Sequence, residues 1–160
     1  MELKSVALEI PEGANIILGQ SHFIKTVADL YEIIVGTAAQ VKFGLAFCEA
    51  SGACLIRVAG NDVRLQEVAA RNARSIAAGH SFIIVMENAY PINVLNAIQQ
   101  CQEVCNIYCA TANPVEVILA QTQLGRGILG VVDGFSPKGT ESAQEAIERQ
   151  SFLRQIGYKL

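Results

Sequence analysis

Histidine occurs only twice in the 160 residues, at His22 and His80, so chemistry that needs an imidazole near neutral pH has just two addresses. Charge is sparse as well. Only 17% of residues are charged against 51% hydrophobic, too few for a monomer to cover its apolar surface, so a homo-oligomer is the expected outlet. A basic surplus is missing: the net charge is −3 and the pI near 5.4, which argues against a nonspecific nucleic-acid binder, because affinity for a phosphate backbone needs a basic face. A small anionic ligand needs only a few aimed donors and stays open. No apolar run approaches the roughly 20 residues of a membrane-spanning helix. Met1-Glu2-Leu3-Lys4 also lacks the order of a signal peptide, so a cytoplasmic protein with no membrane partner is expected. The five cysteines (Cys48, Cys54, Cys101, Cys105, Cys109) are odd in number and form no C-x-x-C pair, which disfavours a disulfide framework and a zinc site. As small hydrophobes they need no further role. With no repeat, low-complexity segment or Pro/Gly/Ser-rich linker, residues 1–160 read as one domain.

Within that domain strands and helices alternate. Residues 3–10 read as a strand ending at Pro11-Glu12-Gly13, and Asn15 to Leu18 as a second. Thr26-Val27-Ala28-Asp29 has the form of a capping box, with Leu30, Ile33 and Ile34 at helical spacing behind it. Lys42 to Glu49 and Cys54 to Ala59 look like a hairpin; Asn61-Asp62 then offers caps for a helix through Ala78, closed by Gly79. A strand over 81–86, a short helix from Pro91, strands over 105–110 and on to Leu119, and another over Ile128 to Val132 follow. Ser142-Ala143-Gln144-Glu145 opens a last helix that stops near Gly157. The expected fold is α/β: a single compact layered domain with a mixed sheet and flanking helices. Parallel pairs are expected from the β-α-β links and an antiparallel pair from the 42–59 hairpin.

Both histidines sit where a helix meets a strand. His80 follows Gly79 and precedes the apolar run Phe82 to Met86; one reading is a phosphoryl or proton carrier, the other a histidine that merely starts a buried strand. His22, with Lys25 three residues on, lies beside a helix start able to hold an anion, and is equally a capping region with solvated polar groups. Gly125-Arg126-Gly127-Ile128-Leu129-Gly130 is a literal G-x-G-x-x-G, yet it leads into a strand rather than a helix, so it is not a dinucleotide fingerprint. Gly125 and Gly127 would let backbone approach a ligand and Arg126 could grip a phosphate; a tight strand-entry turn is the plainer alternative. Asp133 to Thr140, including Lys138, feeds a helix N-terminus and is either a phosphate cradle or a flexible surface loop. Its lysine precedes the glycine, so it is no Walker A loop. Asn113 and Glu116 follow a strand end, where α/β sheets often place ligand contacts and where Asn-Pro is often only a turn.

Taken together, the segments Gly19 to Thr26, Gly79 to Phe82, Pro91 to Asn96, Cys109 to Glu116 and Gly125 to Gly134 resemble the adenosine-specific kinase family, in matching order over nearly the whole chain. The resemblance implies an oligomeric α/β protein that binds adenosine or AMP as its ligand and carries a phosphoryl group on a histidine. Placing that chemistry on this chain's own polar turns, the expected catalytic residues are His80, as phosphoryl carrier, and Asp133, as metal ligand or base for the nucleoside hydroxyl. Arg126, Lys138 or Lys25, with Mg²⁺ as a candidate counter-ion, would neutralise phosphate; Asn113 and Glu116 would orient ribose or base; His22 would be a second contact. The expected function is an adenosine/AMP-binding phosphotransferase acting through phosphohistidine. The alternative is an adenine-nucleotide sensor without turnover.

Overall fold

The computed structural model describes residues 1–160. In chain order the elements are β1 (Glu2–Ala7), β2 (Asn15–Ser21), α1 (Thr26–Thr37), β3 (Lys42–Cys48), β4 (Ile56–Gly60), α2 (Val63–Ile76), β5 (Ser81–Glu87), α3 (Pro91–Gln99), β6 (Val104–Thr111), β7 (Val115–Gln121), β8 (Arg126–Asp133) and α4 (Ala143–Gln155). They form one layered α/β domain with two sheets, ordered β4-β3-β5-β2-β6 and β1-β7-β8.

The β-α-β alternation is real, but each crossover skips one strand. β2 and β3 run the same way with β5 between them, and β4 and β5 run the same way with β3 between them. β5 and β6 repeat the arrangement around β2. Every neighbouring pair of strands is therefore antiparallel, and the expected parallel pairing is confined to an isolated bridge between Ala78 and Arg126. Helix-length connections make strands parallel; which strand then fills the gap is set by long-range pairing that local sequence does not encode.

Both faces of the five-stranded sheet are covered, which is why its central strands read as near-continuous apolar runs. Ile16, Leu18, Ala46, Ile83 and Val85 pack on one face against Leu65, Val68 and Ile76 of α2 and Val117 and Leu119 of the small sheet. Ile17, Phe43, Leu45, Phe47 and Ile84 pack on the other against Leu30 and Ile34 of α1 and Val94 and Ile98 of α3. Gly44 lets α2 lie directly on β3: a Cβ there would stand 2.1 Å from the carbonyl carbon of Leu65. Cys48 and Cys109 are buried, and burial pushes their thiols up, Cys109 to about 11, in keeping with a packing role.

Helix starts are set by local chemistry, with one exception. Leu65 N–H donates to Asp62 Oδ1 at 3.0 Å, and the Ser142–Glu145 box closes in both directions. At α1 the expected box does not form: the Thr26 hydroxyl bonds Ser21 Oγ at 2.7 Å and the Phe23 carbonyl at 2.6 Å instead. The buried β2 terminus captures the hydroxyl, so Thr26 ties the helix to the strand. Helix α4 buries none of its residues, and Ile147, Phe152 and Ile156 are exposed. No helix is long and apolar enough to cross a membrane.

Candidate functional site

The five-stranded sheet has two ends, and the chain's polar turns divide between them. At the end where β2 and β3 finish and β5 and β6 begin, both histidines meet: Ser21 N–H donates to the His80 carbonyl at 3.0 Å, and His22 N–H to the Glu103 carbonyl at 3.0 Å. His80 N–H donates to the Cys48 carbonyl at 2.7 Å, so the residue is pinned between β2 and β3. Its ring lies on Phe47, with centroids 5.9 Å apart and planes 22° from parallel. It remains half-buried, and its backbone is left-handed, with φ at 64°.

That conformation corrects the expected helix cap. Helix α2 stops at Ile76, the left-handed cap residue is Ala77 (φ 49°), and Gly79 needs its missing side chain for space, since a Cβ would come within 2.9 Å of Ala50 Cβ. A non-glycine left-handed residue costs of order 1–2 kcal/mol, and histidine tolerates it better than most residues. The surrounding hydrogen bonds hold it there. Such strain gathers at functional sites, and here it turns the imidazole onto Phe47 at the open end of the sheet.

Arg126 reaches the same end from the small sheet. Its Nη1 donates to the carbonyls of Ser75 (2.9 Å) and Ile76 (3.3 Å) and its Nε to Gln121 Oε1 (2.6 Å), so the guanidinium caps the C-terminus of α2 immediately before the His80 turn. Gly125 sits in the Thr122–Gly125 turn and Gly127 pairs with Ala120, both with open space where a Cβ would stand. The segment forms a strand-entry turn in which neither space nor a positive φ requires either glycine. Beside it, Gln20, Gly79, Ser81, Tyr108, Arg126 and Gly127 line a cavity of about 90 Å³. Lys25 is exposed and ion-paired with Asp29, whose carboxyl this contact holds below its usual value. His22 is exposed, its ring near that of Phe23.

The opposite end holds the remaining predicted residues. Asn113 Nδ2 donates to Asp133 Oδ1 at 3.1 Å, and Glu116 accepts from Ser5 at 2.7 Å. Strand β2 separates the ends: seven residues at about 3.3 Å each put Asp133 roughly 20 Å from His80 within one chain. Lys138 lies on the exposed segment before α4. The N-terminus of that helix already holds a carboxylate of this chain: Ser142 N–H donates to Glu145 Oε2 at 2.7 Å, which keeps the Glu145 carboxyl below its usual range.

At this end a groove of about 1020 Å³ runs between the start of α3 and the end of α4, lined among others by Asn15, Tyr90, Ile92, Thr111, Phe152 and Tyr158. Its size and aromatic rim suit a nucleoside. Ile92 and Thr111 lie in segments that carry the family resemblance, but none of the lining residues was singled out individually, because the aromatics belong to elements distant in sequence and Asn15 looks like an ordinary strand residue. Gln20, Ser81 and Tyr108 at the histidine end were missed too; only their nearness to the two histidine segments pointed to Gln20 and Ser81.

Among solved structures the chain is similar to the PH1918 protein from Pyrococcus horikoshii OT3, at 44% identity over 99% of this chain and 98% of that one, with a TM-score of 0.96. No curated protein matches. The family model described as adenosine specific kinase matches residues 6–159, which takes in both ends of the sheet and α4. By that match the chain belongs to the adenosine specific kinase family.

Proposed function

We propose that the protein is an adenosine- and AMP-binding phosphotransferase in which His80 carries the phosphoryl group. The observation that supports this most is the His80 turn: an imidazole held in a left-handed backbone by two strands, laid on Phe47, and left accessible at the sheet end. Phosphoryl transfer asks a protein mainly for positioning and charge neutralisation, and this turn supplies positioning. A ring nitrogen of His80 attacks the terminal phosphorus of a phosphoanhydride donor; a P–N bond forms and the donor P–O bond breaks, its electron pair leaving on oxygen. The adenosine hydroxyl then attacks that phosphorus, the P–N bond breaks, and the hydroxyl proton passes to a base. Lys25, and the part of Arg126 not committed to α2, offer positive charge for the phosphate, with His22 as a further contact.

Asp133 is too distant to serve His80 of its own chain. The exposed apolar side chains of α4 and β8 support a homo-oligomer, and Asp133 with Asn113, Glu116 and Lys138 would reach a phosphohistidine only from a second copy. Mg²⁺ bound to donor phosphates would add charge neutralisation, and the Asp133–Asn113 pair supplies oxygens suited to that hard ion. A cytoplasmic location fits this chemistry. The test is AMP formation from adenosine and a phosphoanhydride donor. Turnover that disappears in His80→Ala and survives in His22→Ala supports the enzyme, whereas an AMP-induced rise in Tm without any turnover supports the sensor instead.

A further inference from the structure

A second group of side chains at the histidine end takes no part in that reading. Asp29 on α1, Cys101 just after α3 and Glu103 just before β6 each bring one ligand atom to a common point, all within 4.8 Å of one another. Surface acids often gather without purpose, but Glu103 is not at the surface. It is 3% exposed, and its Oε1 is buried without any hydrogen-bond donor. An unsatisfied buried carboxylate oxygen is among the costlier features a fold can keep, so it points to a positively charged partner. Lys25 does not fill that role, because its ammonium is exposed and engages Asp29 Oδ2.

The three ligands are also held in place by backbone. Glu103 O accepts from His22 N–H at 3.0 Å, Val104 N–H donates to Cys101 O at 3.0 Å, and Asp29 N–H to Lys25 O at 3.0 Å. We infer that Asp29, Cys101 and Glu103 form a binding site for a divalent transition-metal ion of the zinc type. A thiol beside two carboxylates selects against Mg²⁺ and Ca²⁺, which take oxygen ligands, and suits Zn²⁺. Tetrahedral zinc with bonds of about 2.0–2.3 Å sets its ligand atoms roughly 3.5 Å apart, so the site needs a contraction of about one ångström. Three protein ligands leave one position open, and it would face a cleft of about 270 Å³ that Lys25 and Gln100 also line. Burial and the neighbouring Glu103 push the Cys101 thiol up to about 11, so binding must release its proton to the solvent. The missing C-x-x-C spacing is no obstacle, since the ligands come from separate elements.

The site does not depend on the phosphohistidine reading; neither histidine belongs to it. The test is a titration of chelator-treated full-length protein with Co²⁺, followed by Zn²⁺ competition and by Tm. Expected are a thiolate-to-cobalt charge-transfer band saturating at one equivalent, its displacement by Zn²⁺ but not by Mg²⁺, and a zinc-dependent rise in Tm. Cys101→Ser should abolish the band, and Glu103→Gln should weaken zinc binding at least about tenfold. Cys54→Ser and Cys105→Ser, at exposed cysteines, should leave both readouts unchanged. A missing band, a band that survives Cys101→Ser, or Mg²⁺ competing as well as Zn²⁺ would overturn the assignment. Should Glu103→Gln fail to fold, Cys101→Ser still decides it.

Discussion

Where β2 and β3 finish, the five-stranded sheet carries two histidines and a lysine on short turns, and Arg126 at the start of β8 reaches them from the small sheet. Where β6 and β8 finish, it carries an amide–acid pair and a wide groove rimmed by tyrosines and phenylalanine. In the proposed function the first end would hold the phosphoryl group and the second the ring of the nucleoside. The strands that join them keep the two kinds of equipment roughly 20 Å apart. Reading the turns as one list of candidates hides this, because every strand has two ends and successive turns of an antiparallel sheet alternate between them.

The sharpest way to break the comparison is to remove its chemistry from one end. His80→Ala should lower phosphoryl transfer by at least about a thousandfold in a steady-state assay, while AMP binding, followed by Tm shift, stays within a factor of about two. Next in size is a change that disturbs both ends together. Gly44→Ala drives a methyl into the α2 backbone, and overpacking of about 3 kcal/mol should lower Tm by roughly 6–12 °C in calorimetry. Should it melt like the wild type, α2 does not rest on β3 as described. Tyr90→Ala then probes the far end: loss of an aromatic face of about 1 kcal/mol should weaken AMP binding several-fold in calorimetric titration and leave formation of phosphohistidine intact. Equal losses in both readouts would mean that the two ends act as one site.

Much of the fold was legible because it is set locally. Asp62 and Ser142 cap their helices through contacts three residues away, and the 42–59 hairpin closes within its own segment. Thr26 was misread because its hydroxyl is taken by Ser21, a partner brought in by the fold. Gly79 was misread for a similar reason: α2 is capped by Ala77, whose N–H donates to the Ala73 carbonyl, and the second left-handed residue, His80, is held by its own N–H bond to Cys48 and the Ser21 N–H bond to its carbonyl, while Gly79 only leaves room for Ala50. The site residues were legible as types, and their division between two ends was not, because it follows from strand order. The Asp29–Cys101–Glu103 cluster left no local signal at all.

The smallest expected effect is on stability. Glu9 is held below its ordinary value chiefly by Arg71, Glu49 by the Leu55 N–H and Arg57, and Asp29 by Lys25. With folded-state values lowered, these groups stabilise the fold at neutral pH and lose that contribution as pH falls. Tm should therefore be flat near neutrality and decline below about pH 5. A Tm that rises on acidification would contradict the three pairings. The basic partner of each pair is 40–54% exposed, so salt should blunt the decline.

The account stands most directly on where the phosphate sits. The decisive measurement is to load the protein with a labelled phosphoanhydride donor, test the label for acid lability and alkali stability, and locate it by peptide mapping. The account predicts an acid-labile label on His80, absent from His80→Ala and retained in His22→Ala. Label on His22, or adenosine phosphorylated at full rate with no protein-bound label, would contradict it.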